Sequence, residues 1–451
     1  MKYDVIIIGA GLGGLECAHI LSRHGAKVLV LEQGIQIGGC MQSYRRNGEL
    51  IDTGFHYIGG IGEGQSLYPS FKDLNLLHLP WHRLDEYFDR ITIDGHTYQI
   101  PQSFDGYVES LAAEFPEERE GLEKCARLLQ VTTTNDQSLF EQQSSTSALE
   151  YLQSVIHNPL LIDILCTPSS IKGEMNRDTL PLFTILHNTC GCLESAWRLK
   201  GPGSLITDSL AEDIRKNGGE IYTRSKVTKL IITDGMVTGV ECEGGKRYEG
   251  RSVISDVHPA QTVEMLDKPL GIYKRRMQSL TNTQGVFTVS LLLKKDTLRY
   301  FNWNQYLVKD GKTMLVSCRV PEDDSDYTHQ VDLLTPVADG AFVRDDNYKA
   351  RKEELADHCV EWAEQFVPGL HEMVEHRYTS SPLTWQRYTL APSGSAFGVR
   401  KDYRNPMMTF LSTRTPIRNL LLTGQSLMVH GVQGVTMTAY ETCKQIKNIL
   451  S

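Results

Sequence analysis

The chain has no apolar run long enough to cross a bilayer as a helix. It has no basic run either, and its formal charge is −9, which excludes a nucleic-acid partner. Ten cysteines are present but scattered, with no C-x-x-C pair. Cys190-Gly191-Cys192 is too closely spaced for an ordinary zinc half-site, so no metal is expected. The thiols read as reduced, mostly small core residues of a cytoplasmic protein. There is no G-x-S-x-G nucleophile elbow and no H-E-x-x-H metal motif. Internal repeats and low-complexity stretches are absent. The N-terminus runs straight into an apolar strand, which leaves no room for a signal peptide. At 451 residues the chain is too long for one core, and two domains are expected.

What is present begins at Tyr3. The strand Tyr3–Ile8 enters Gly9-Ala10-Gly11-Leu12-Gly13-Gly14, a helical stretch follows, and Lys27–Leu31 forms a second strand ending at Glu32. This is the dinucleotide-binding fingerprint in full context. Gly9 permits the tight turn, Gly11 lets the backbone approach a pyrophosphate, and Gly14 lets helix and strand pack closely. The helix N-terminus offers N–H groups to the phosphates. Glu32 is placed to accept hydrogen bonds from an adenosine ribose and disfavours the 2′-phosphate of NADP. FAD or NAD remains.

The next segments decide between them. Gly38-Gly39-Cys40-Met41 and Asp52-Thr53-Gly54-Phe55-His56-Tyr57-Ile58-Gly59 resemble the FAD-dependent phytoene desaturase, carotenoid isomerase and retinol saturase family, most of all its retinol saturase branch. The resemblance places Gly38, Gly39, Cys40 and Met41 against FAD, with Gln33 beside Glu32. It has the backbone of Val227 touch the adenine. At the C-terminus, Asn419–Gln425 reads as a strand ending at Gly424, and His430-Gly431-Val432-Gln433-Gly434-Val435 opens a helix that runs through Thr436–Ile449. In the family such a strand and helix close the flavin site, which implicates Gly424, Gln425, Gly434 and Val435. A helix N-terminus there favours the negative charge of reduced flavin.

Both chain ends thus carry parts of one site, and the FAD domain is discontinuous. The expected fold is α/β: a Rossmann-like FAD-binding domain (1–72, 201–265 and 405–451) with a mixed α+β substrate domain (73–200 and 266–404). Residues 105–190 read as mostly helical. Their apolar runs 160–165 and 180–186 are either ordinary core or the lining of an apolar tunnel. Arg90–Pro101 reads as a hairpin about Asp94-Gly95, and 227–256 as a β-meander. Gly201 and Gly203 lack the strand and third glycine of a second nucleotide site. An external NAD(P)H donor would therefore have to react at an open flavin face.

The family implies an oxidoreductase acting on carbon–carbon double bonds of an apolar polyene or isoprenoid, by saturation, desaturation or isomerisation. His56, Tyr57 and His430 are the candidate catalytic residues, because a histidine can shuttle protons near neutral pH. A flavin amine oxidase is the alternative within enzymes. It would want an aromatic cage where Met428 and His430 stand. A GDP-dissociation-inhibitor-like binding protein shares the architecture without a catalytic flavin. The expected partner is an apolar small molecule, reached from a membrane surface.

Overall fold

Two seven-stranded sheets organise the computed structural model, which describes residues 2–134, 136–172, 177–266, 270–321 and 325–450. In the first sheet, strand β1 (Lys2–Ile8) runs parallel to β2 (Val28–Leu31) on one side. On the other side it runs parallel to the strand Arg247–Ser255. Glu220–Tyr222 extends the sheet beyond β2, and Leu420–Leu422 pairs with Arg247–Ser255. The meander 227–255 turns at Asp234-Gly235 and Gly244-Gly245, where positive φ suits the residues found.

β1 is buried on both faces, as a parallel strand covered by layers must be. Val5 and Ile7 join the core beneath helix α1 (Leu12–Arg23) and the C-terminal helix Gly431–Leu450. Ile6 and Ile8 face the meander's core. The tight fit of α1 has a local cause: a Cβ on Gly14 would lie 2.2 Å from the Gly9 carbonyl.

The second sheet is built from 87–101 and 285–380. The Asp94-Gly95 hairpin forms its edge as expected, between Tyr87–Ile93 and His96–Pro101. Its central strands Gly285–Leu293, Lys312–Cys318 and Gln330–Val337 are largely buried on both faces. Helix Tyr348–Ala363 covers one face, and the helices of 104–194 cover the other.

Of the two readings of runs 160–165 and 180–186, core is the one realised: they pack into the helical core with helices Pro159–Lys172 and Leu182–Glu194. The cleft beside them is about 30 Å3. The C-terminal helix starts at Gly431, within the segment expected to open it, where Gly431 takes the positive φ that lets the chain turn. Strand Ala196–Leu199 bridges two short strands, Ile58–Gly59 and Trp81–Arg83, in a small sheet with no apolar alternation of its own.

Candidate active site

Register explains where the site lies. Ile8 pairs with Leu31 and with Ser255, Ser255 pairs with Leu422, and Leu31 pairs with Tyr222. The residues that follow these parallel strands, Gly9, Glu32, Asp256 and Gly424, therefore emerge along one edge. β1 has parallel neighbours on both sides, so this edge is a topological switch point, where open α/β sheets bind ligands. A cavity of about 560 Å3 opens there and continues beneath the second sheet to Tyr57, Lys172, Asn188 and Tyr306.

The nucleotide end gathers most of the residues the sequence singled out. Gly9, Gly11, Leu12, Gly13, Glu32, Gln33, Gly38, Gly39, Cys40, Met41, Val227, Gly424, Gln425 and Val435 all line the cavity. Glu32 accepts hydrogen bonds from the Ala10 N–H at 2.9 Å and the Gly34 N–H at 2.6 Å, which fixes it at the end of β2. The Asp-Thr-Gly segment is bonded to its surroundings. Asp52 accepts from the Gly203 N–H at 2.8 Å, and the Thr53 hydroxyl donates to the carbonyls of Cys40 at 2.9 Å and Gln42 at 2.8 Å. Gly54 passes so close that a Cβ would lie 2.8 Å from the Cys40 carbonyl. That motif holds the Gly38–Met41 turn in place.

Two glycines have structural rather than lining roles. Gly14 meets the Gly9 carbonyl, and a Cβ on Gly434 would lie 2.3 Å from the Val429 carbonyl. Neither lines the cavity. Cys40 lines it as a thiol, since burial, with the Asp256 charge adding to it, pushes its pKa up to about 11.

Burial pushes His56 down to about 4 and His430 down to about 3, so both rest as neutral imidazoles at neutral pH. His56 lines the cavity, whereas His430 sits behind it, its ring 5.9 Å from that of Phe397. Tyr57 holds its place. Its hydroxyl lies 2.7 Å from that of Tyr306, and Lys172 Nζ sits 4.4 Å above its ring. Burial, reinforced by the charge of Asp89, raises the Tyr57 pKa well above that of a free tyrosine.

Sequence reasoning missed Lys172, Asn188, Tyr306 and Asp256. Lys172 donates to the Asn188 carbonyl at 3.0 Å. Beyond the cluster the cavity wall is apolar, with Phe55, Ile171, Val286, Leu315, Leu334 and Phe397. Asp256 stands in the glycine cradle itself. Its Oδ2 is 2.6 Å from where a Gly11 Cβ would be, and its Oδ1 is 2.6–2.7 Å from the same point on Gly424 and Gly13. A further buried acid, Glu16 on α1, accepts from the Thr436 hydroxyl at 2.7 Å. Its Oε2 has no hydrogen-bond partner among the described residues.

The residues fit a flavin dinucleotide. The cradle is open only because Gly11, Gly13 and Gly424 lack side chains, and α1 begins with no side-chain cap on its first turn.

The pattern of the flavin containing amine oxidoreductases matches residues 12–447. The all-trans-retinol 13,14-reductase of Danio rerio is 24% identical over 523 residues, spanning 98% of this chain and 85% of that protein. A chloroplastic prolycopene isomerase of Daucus carota is 23% identical over 490 residues, spanning 97% of this chain and 78% of its own. Among solved structures, putrescine oxidase bound to putrescine superimposes with a TM-score of 0.70 at 16% identity, covering 100% of this chain and 99% of that one. That last likeness is one of fold.

Proposed function

The chain belongs to the flavin containing amine oxidoreductase family, and from that premise we propose an FAD-dependent oxidoreductase acting on a carbon–carbon double bond of a long apolar polyene or isoprenoid. One observation carries the reading. The substrate end of the cavity is walled by apolar side chains and closed by Lys172, Tyr57 and Tyr306, and among the described residues no carboxylate lines it. A protonated amine would meet an ammonium at the lining, while the nearby Asp89 carboxylate lies outside it, bonded to Asn304 at 2.8 Å. The names of the relatives, a retinol reductase and a prolycopene isomerase, support the same substrate class.

The segments 1–72, 201–265 and 405–451 hold the cofactor, and 73–200 with 266–404 cover the substrate. Bound FAD supplies a carrier that exchanges hydride with carbon. The second carbon of the double bond must exchange a proton. Tyr57 holds one at Oη, kept there by its raised pKa, with Tyr306 and Asp89 in hydrogen-bond contact with it. The apolar wall excludes water, so reducing equivalents go to carbon and not to solvent. His56, neutral and buried, orients the site without carrying charge.

No helix among the described residues is long and apolar enough to cross a membrane. A surface suited to peripheral contact exists at Ile272 and Met407, which are 78% and 86% exposed. Arg276 links their helices by donating to the Met407 carbonyl at 2.7 Å, and Lys274 and Arg275 flank Ile272. Apolar side chains among cations suit an anionic lipid surface.

The test is anaerobic. Flavin-loaded protein is reduced with dithionite and mixed with retinoid and carotenoid polyenes. Reoxidation of the flavin with loss of one conjugated bond is expected, and Tyr57→Phe slows it. Bleaching of the oxidised flavin by amines, with no polyene consumed, would refute the proposal.

A further inference from the structure

An acid in a phosphate cradle is an electrostatic contradiction. FAD brings a pyrophosphate with two negative charges, and the N–H groups at the start of α1 are built to receive it. In this chain the Asp256 carboxylate stands at the same helix start and accepts from the Gly11 and Gly14 N–H groups, with Oδ2 2.6 Å from the Cβ position of Gly11 and Oδ1 2.6 Å from that of Gly424. Its Cβ is pinned, 3.2 Å from the Cβ position of Gly14 and 3.5 Å from that of Gly9, so only the carboxylate end can turn. Its backbone is fixed as well, because the Asp256 N–H donates to the Ile8 carbonyl at 2.8 Å, continuing the β1 ladder.

Apart from the Gly11 and Gly14 N–H groups, the neighbours do not offset the charge. Glu32 faces Asp256 from the end of β2, Glu16 and Cys17 from α1, and Cys40 from the Gly38–Met41 turn. His258, two residues on, points to Asn282 instead, at 2.7 Å. None of the facing groups is a cation. An ionised Asp256 beside a bound pyrophosphate would be a like-charge contact inside a buried site.

We propose that Asp256 gates cofactor capture: it fills the phosphate cradle as a carboxylate in the apoprotein, and takes up one proton when FAD binds, so that its O–H donates to a pyrophosphate oxygen. The step balances as one proton from solvent added to one carboxylate, with no electron moved. Asp256 is then a positioning residue for the cofactor, and FAD affinity falls as pH rises. Its titration lies in the useful range. Burial pushes the carboxyl up to about 7, the Gly14 and Gly11 N–H groups pull it back, and the Glu32 charge adds to the rise.

The inference rests on the FAD reading, and the experiment separates the two. Deflavinated protein is titrated with FAD by flavin fluorescence from pH 6 to 9 at constant ionic strength. Proton uptake is counted by calorimetry in two buffers of different ionisation enthalpy. Wild type should show a Kd rising about tenfold per pH unit above 7, with uptake approaching one proton. Asp256→Asn, which keeps the shape and supplies a neutral donor, should bind with a flat Kd, roughly 100-fold tighter than wild type at pH 9 by the same slope. Should deflavination precipitate the chain, FAD release from the diluted holoprotein replaces the titration. Its rate should climb above pH 7 in wild type and stay level in Asp256→Asn. A flat wild-type profile, an unchanged slope in the Asn variant, or a slope abolished by magnesium would overturn the proposal. The magnesium result would mean that the carboxylate carries a cation to the phosphates. No FAD binding by either protein at any pH would overturn the cofactor reading itself.

Discussion

Gly11 and Gly14 stand three residues apart in one motif, yet the structure assigns them different physics. A Cβ on Gly14 would lie 2.2 Å from the Gly9 backbone carbonyl, where ordinary contact begins at 3.4 Å. That carbonyl cannot rotate away, so α1 must lift from β1 by about 1 Å. The lift loosens Leu15, Cys17, Ala18 and Leu21, all buried against the sheet. Overpacking of this kind costs about 1–3 kcal/mol, and a backbone block belongs at the upper end. Alanine in a helix returns about 1 kcal/mol relative to glycine. The net for Gly14→Ala is about 2 kcal/mol, or a fall of about 2 °C in the Tm of an apoprotein of this length. Gly11 has φ −72°, which alanine adopts freely, and its Cβ would press only on the movable end of Asp256. Gly11→Ala should change apoprotein stability by no more than about 0.5 kcal/mol. It should nevertheless weaken FAD binding by about 100-fold or more, some 2.7 kcal/mol, because the methyl holds the pyrophosphate off the backbone. Differential scanning fluorimetry of both apoproteins and a flavin titration give the two readouts. Equal loss of Tm in the two variants, or stoichiometric tight FAD in Gly11→Ala, would refute the reasoning.

Two other outcomes follow from the same geometry. Burial pushes Glu16 up to about 8, so the fold favours its protonated form. That contribution is complete below the ordinary glutamate pKa and is lost as pH rises through 8. The Tm of the wild-type apoprotein should therefore fall more between pH 5 and pH 9 than that of Glu16→Gln, which keeps an acceptor for Thr436; parallel profiles would remove Glu16 from the account. At the surface, Ile272→Ser with Met407→Ser should reduce co-flotation with anionic vesicles several-fold while leaving binding of water-soluble ligands unchanged. Equal flotation of variant and parent would place the membrane contact elsewhere.

The sequence revealed the parts of the site that are local in the chain. Gly9 to Glu32 lies within one βαβ unit, so strand, turn, helix and acid are read together, and the structure brings them to the cavity. The segment 52–60 was legible only by resemblance. Its physical reason, Thr53 bridging the Cys40 and Gln42 carbonyls and Asp52 reaching the Gly203 N–H, is visible only in three dimensions. Asp256 shows the limit most clearly. The sequence places it at the end of a strand, but its importance comes from which strand lies beside β1, a pairing between residues more than 240 positions apart. A short apolar run such as Val5–Ile8 does not encode that choice. Lys172 and Tyr306 are similar: a lysine at a helix end and a tyrosine within a strand carry no signal until two distant elements put them around Tyr57. The apolar runs 160–165 and 180–186 stayed open between core and tunnel, because apolar density is the same whether a helix faces core or a hydrocarbon ligand, and only packing distinguishes them. The charge of His56 and His430 was not legible because it is set by burial, and burial is a property of the fold. The sequence therefore pointed to the cofactor, whose recognition is built from backbone and glycine within one segment. It left the proton chemistry open, because that depends on side chains meeting across two sheets.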